Sequence, residues 1–88
     1  MIPRNVRPFF WDVNLDTFDP TSYPGYTIAR ILEYGDDAAV QWLCEAFTKP
    51  EIEEVIRTER RLSRRSAAFW ALVYCIPYEE VAALKRDP

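Results

Sequence analysis

The chain has no histidine among its 88 residues. That removes the Ser-His-Asp and Cys-His nucleophile systems and every His-based metal site. Two glycines are too few for a Gly-rich loop that cradles phosphate. The two cysteines, Cys44 and Cys75, stand 31 positions apart and neither belongs to a CxxC pair. A zinc site or a thioredoxin-type motif has no support there. Both thiols sit in apolar stretches, so the expectation is free, buried cysteine in a reducing cytoplasm. The longest apolar run, 67–76, has ten residues. A membrane span needs about 20, so this run reads as a buried helix. The N-terminus has no continuous hydrophobic region and no small-residue cleavage site, and does not read as a signal peptide.

What is present is apolar and aromatic. Apolar residues make up 49 % of the chain, charged residues 28 %, and the aromatics are 3 Trp, 5 Tyr and 5 Phe. A disordered chain lacks such a payload. The length allows one domain, 1–88, with a small core. Four of the seven prolines, Pro3, Pro8, Pro20 and Pro24, fall in the first 24 residues. Residues 1–24 therefore read as an extended, turn-rich strap. Its Phe9, Phe10, Trp11, Val13, Leu15 and Phe18 are costly to leave in water, so the strap is expected to plug into a helical body over 25–84.

Within that body the spacing predicts a helix over 25–34, with Ile28, Ile31 and Leu32 as its stripe and Gly35 as a left-handed stop. Asp36 caps a second helix over 37–47, with Ala39, Val40, Leu43, Cys44 and Phe47 on one face. Thr48-Lys49-Pro50-Glu51 is a capping box opening a third helix over 49–57, whose face is Ile52, Val55 and Ile56. Ser63 caps a fourth over 64–75, apolar all round and hence expected at the centre. Pro77 opens a short fifth helix that frays at Lys85, Arg86, Asp87 and Pro88. No alternation marks a strand. The fold class is all-α: one small domain of four to five short helices with a Pro- and aromatic-rich strap.

Charge is unevenly placed. The net charge is −3, yet residues 1–56 carry ten acids against four bases. Residues 57–65 carry Arg57, Arg60, Arg61, Arg64 and Arg65 against Glu59 alone. Arginine suits bidentate contact with carboxylate or phosphate. Three readings stay open for this cluster: DNA contact, contact with an acidic protein partner, and a solvated or internally paired surface. A net acidic chain and an apolar helix after Arg65 weigh against DNA, because a reading helix needs polar side chains to reach base edges. Asp12, Asp16 and Asp19 match no calcium loop. Glu51, Glu53 and Glu54 stand at a helix start, where acids suit the dipole. Ser63 and Ser66 read as capping hydroxyls. The chain is expected to be non-enzymatic, with no cofactor and no metal. Not all thirteen aromatics fit inside, so Trp11, Trp42 and Trp70, in that order of exposure, join the five arginines as candidate partner contacts.

Phe10-Trp11-Asp12-Val13 with Leu15-Asp16, the stretch from Ile28 to Gly35, Trp42-Leu43, Arg61-Leu62-Ser63, Ala67-Ala68-Phe69-Trp70 and Ile76-Pro77 together resemble a family of small uncharacterised bacterial proteins. The resemblance covers about residues 9–81. Members of that family are often encoded immediately beside nucleotidyltransferase toxins of the abortive-infection type. The resemblance implies an antitoxin or accessory partner of such a toxin. It carries over no catalytic residue, because its motifs are aromatic, capping and helix-stop positions. The alternative is a small DNA-binding regulator using the basic segment.

Overall fold

A computed structural model of the chain describes residues 2–14 and 16–85. The expectations for Leu15, Arg86, Asp87 and Pro88 lie outside the described residues. Among the described residues there are four α-helices: α1, Pro24–Tyr34; α2, Asp37–Ala46; α3, Lys49–Thr58; α4, Arg64–Val73. Four single 3-10 turns accompany them, at Arg7–Phe9, Pro20–Ser22, Tyr78–Glu80 and Ala82–Leu84. No strand occurs among the described residues, and the chain is all-α.

α2, α3 and α4 each start where a polar side chain takes up one of the first free amides, whereas α1 opens at Pro24 without a side-chain cap. The Asp36 carboxylate accepts from the Ala39 amide at 2.9 Å. The Thr48 hydroxyl accepts from the Glu51 amide at 3.3 Å, and Glu51 returns the contact to the Thr48 amide at 2.7 Å. The Ser63 hydroxyl accepts from the Ser66 amide at 3.1 Å. In the strap, Asp19 caps the turn that leads into α1, accepting from the Thr21 amide at 3.0 Å. The Thr27 hydroxyl then ties α1 back to that turn by donating to the Pro20 carbonyl at 2.9 Å.

The core runs through all of these elements. Ile28, Ile31 and Leu32 of α1 are buried with Ala39, Leu43 and Phe47 from the second helix region. Ile52, Val55 and Ile56 of α3 join them, so its short stripe is fully used. Ile2, Val6 and Phe10 enter from the strap, and Phe10 packs on Phe18 and Tyr26 with ring centroids 5.6 and 6.1 Å apart. Leu62, alone among the basic residues of its turn, is buried as an anchor.

Four expectations are corrected. The central helix is α1, which touches α2, α3, α4 and both strap turns. α4 lies to one side and buries only its alanine face, Ala67 and Ala71. Gly35 is not left-handed; its φ is −73° and ψ 160°. Glycine is required there by space, because a Cβ would lie 2.7 Å from the Ile31 carbonyl oxygen. The thiols of Cys44 and Cys75 are free but exposed, since the apolar stretches around them turn those positions outward. Among the described residues no fifth α-helix forms: after Pro77 the chain makes two 3-10 turns that fold back along α3 and α4.

Candidate interaction surface

Two surfaces gather exposed large side chains, while the exposed Tyr23 stacks on Phe18. The first surrounds Arg30. Its guanidinium carbon lies 4.4 Å from the Trp11 ring centre, 4.9 Å from that of Tyr26 and 5.8 Å from that of Tyr34. It donates to Asp12 at 2.5 Å and to the Tyr26 hydroxyl at 2.7 Å, while Tyr26 donates to Asp12 at 2.5 Å. A cation over aromatic faces is attracted by their quadrupoles, so this cluster fastens the strap to α1. The hydrogen bond from Tyr26, followed by that from Arg30, holds the Asp12 carboxyl below its ordinary value. Trp11 remains 63 % exposed, edge-on to the exposed Tyr34 at 5.2 Å.

The second surface is the outward side of α4. Phe69 is 55 %, Leu72 69 % and Val73 50 % exposed. Their spacing of three and four puts them on one face, opposite the buried Ala67 and Ala71. Sequence reasoning missed these residues as a site. The signal was available, since small residues on one face of an apolar helix mark the side that approaches a neighbour closely.

The basic segment divides. Arg57 pairs with Glu80 at 3.3 Å, and Arg61 pairs with Glu59 at 2.7 Å. That second contact lowers the Glu59 carboxyl from its ordinary value. Among the described residues Arg60, Arg64 and Arg65 make no ion pair and are exposed. Arg60, Arg64 and Lys85 line one open groove, and Arg64, Arg65 and Lys85 line a second beside it with Ala68 and Tyr78. The turn itself is pinned by Leu62 and by the Ser63 amide, which donates to Glu33 of α1 at 2.9 Å.

Of the three tryptophans, Trp11 is the exposed one, in the first place its sequence reading gave it. Trp42 is half-buried and packs perpendicular to Phe47 at 6.5 Å. Trp70 is also half-buried, and its indole N–H donates to the Leu32 carbonyl at 2.8 Å. Both act in packing, with an edge left in solvent. Tyr74 stands 6.3 Å from Trp70, and its hydroxyl lies 3.9 Å from the Cys44 sulfur. Burial, with that sulfur contact, pushes the Tyr74 phenol up to about 12.

Among the described residues no group of three or more His, Cys, Asp or Glu side chains could hold a metal ion, and no helix is long and apolar enough to cross a membrane. No curated protein and no solved structure matches the chain. A family of unknown function, DUF6922, matches residues 6–56, which span most of the strap, α1, α2 and the greater part of α3. The chain belongs to that family.

Proposed function

We propose that this chain is a non-enzymatic protein-interaction module, working in the cytoplasm as the antitoxin or accessory partner of a nucleotidyltransferase-type toxin. The observation that carries the interaction reading is the exposed apolar face of α4. Apolar side chains that share one face and stand half or more in solvent mark a partner surface on a small domain. Trp11 and Tyr34 add a second aromatic anchor of the kind that dominates binding energy. The acidic surplus over residues 1–56 suits the basic nucleotide cleft of such a toxin, where complementary charge sets orientation and association rate. The toxin assignment itself rests on the sequence resemblance.

The test is functional. The neighbouring toxin gene is expressed with and without this chain, and growth and nucleotidyl transfer are followed. Restored growth together with inhibited transfer is the expected result. Unchanged toxicity with transfer intact removes the antitoxin reading.

A second reading has one observation in its favour. Arg60, Arg64 and Arg65 cluster at the start of α4 and have no ion pair among the described residues. They could contact DNA phosphates, which would give binding a steep salt dependence. Beyond Arg65 the outward side of α4 offers base edges Phe69, Leu72 and Val73, which carry no hydrogen-bonding groups. Binding to the chain's own promoter at low salt, lost on charge reversal of Arg64 and Arg65, would establish this reading.

A further inference from the structure

We infer that the outward face of α4 docks an acidic amphipathic helix of a partner protein. This rests on the interaction reading above and adds the place and chemistry of the contact.

The apolar part is Phe69, Leu72 and Val73, on one face of a ten-residue helix. These are not side chains displaced from a crowded core. The opposite face carries Ala67 and Ala71, whose small size brings α4 close against the body and leaves the large residues outward. Phe69 is also held in place, edge-on to Trp70 with ring centroids 4.9 Å apart. An anchor that is already ordered loses less freedom on binding.

The charge is set by the rim. Arg65 precedes Phe69 by one helical turn and continues the same stripe, with Arg64 beside it. Lys85 and Tyr78 border the flank, across the groove that Arg64, Arg65 and Ala68 share. Glu79 is the one carboxylate lining that groove among the described residues. The positive end of the α4 dipole lies at this same end. An apolar stripe bordered by arginine and lysine is complementary to an apolar stripe bordered by carboxylates.

The partner's shape follows from the backbone. The amides and carbonyls along α4 are used within the helix, so a partner cannot be added as a strand. It must engage through side chains, which is how an amphipathic helix binds. Ten residues of helix are about 15 Å long, enough for two turns of such a partner. A second copy is a poor fit. Two α4 helices packed parallel oppose Arg65 to Arg65, and packed antiparallel they set Arg65 over Val73.

The experiment uses the full chain and two labelled helical peptides, read by fluorescence anisotropy. Both carry leucines at i, i+3, i+4 and i+7; one is flanked by glutamates, the other by lysines. The glutamate peptide should bind at least about tenfold more tightly than the lysine peptide, a difference of about 1.4 kcal/mol. Phe69→Ser with Leu72→Ser should abolish binding. Arg64→Glu with Arg65→Glu should weaken it about tenfold and reverse the preference. Gln41→Ala, an exposed position on α2 away from this face, should leave it unchanged. Circular dichroism should find all three variants folded, because these side chains stand outside the core.

Failure of the glutamate peptide to bind, equal binding of both peptides, or indifference to the α4 variants overturns the inference. So does self-association abolished by Leu72→Ser, or tighter binding to anionic phosphatidylserine vesicles than to the glutamate peptide. The two readings fail separately. If the toxin complex survives the α4 variants, this inference falls and the antitoxin reading stands. If the glutamate peptide binds through α4 but no toxin complex forms, the antitoxin reading falls and the docking surface stands.

Discussion

At Gly35 a side chain has nowhere to go. The nearest obstacles to a Cβ are the Ile31 carbonyl oxygen at 2.7 Å, the Ile31 Cγ2 at 2.9 Å and the Ala39 Cβ at 3.2 Å. The first is backbone and belongs to the α1 bond that the Gly35 amide closes at 2.8 Å. Gly35→Ala should therefore destabilise the protein by about 1–3 kcal/mol, read as a lower urea midpoint with an unchanged slope. A neutral result would mean that the last turn of α1 and the Ile31 side chain can shift without loss. Glycine as a helix stop was legible in the sequence, but its reason was not, because the crowding by Ile31 and Ala39 exists only once the chain leaves α1 in an extended conformation. Asp12 gives a second residue-scale prediction. Tyr26 and Arg30 hold its carboxyl below the ordinary value of 3.8. Its stabilising contribution is fully present above that value and is lost as pH falls through the lowered one. Asp12→Asn should flatten the decline in stability between about pH 5 and pH 1 relative to the parent, measured by urea unfolding across that range. An identical pH profile would show that the strap is not held by this charge.

Helix starts were the most readable elements. Asp36, Thr48 and Ser63 cap α2, α3 and α4 through bonds spanning three residues, and such local chemistry is visible in a linear sequence. The end of α4 was less readable. The helix stops at Val73, where the Cys75 amide bonds the Leu72 carbonyl at 3.2 Å and the Ile76 amide bonds that of Ala71 at 2.8 Å. This is a Schellman motif, and it places Cys75 at a φ of 57°. That position usually holds glycine, and an L side chain there costs about 1–2 kcal/mol. Cys75→Gly should raise the thermal midpoint, the gain being reduced by glycine's extra freedom in the unfolded chain. A lower midpoint would mean that the Cys75 side chain makes a contact outweighing its strain. The location of α4 was not legible at all. An all-apolar run reports hydrophobicity in every direction, and only the neighbours decide which side is covered. With α1 already ringed by the strap, α2 and α3, α4 is left with a one-sided seat.

For the whole molecule, the layout of charge and apolar surface matters more than any one contact. Residues 1–56 carry ten of the fourteen acids, the stretch from Arg60 in the α3–α4 turn to Arg64 and Arg65 at the start of α4 carries the arginines without an ion pair among the described residues, and α4 carries the exposed apolar stripe. The all-α class followed from helical spacing, recurring caps and the absence of strand alternation, and the turn-rich reading of residues 1–24 from proline placement. Which arginines would pair did not, because the pairing depends on folding: Glu80 reaches Arg57 only when the chain after Pro77 turns back. The family match ends at residue 56, so Arg60, Arg64, Arg65 and the α4 stripe lie outside it. The central claim is that this surface serves a protein partner. It is tested most directly by co-expressing the tagged chain with its adjacent gene and sizing the purified product by light scattering. A stable stoichiometric complex of the two proteins is the predicted result. A lone monomer or homodimer, free of the neighbour and able to bind its own promoter at low salt, would contradict the account.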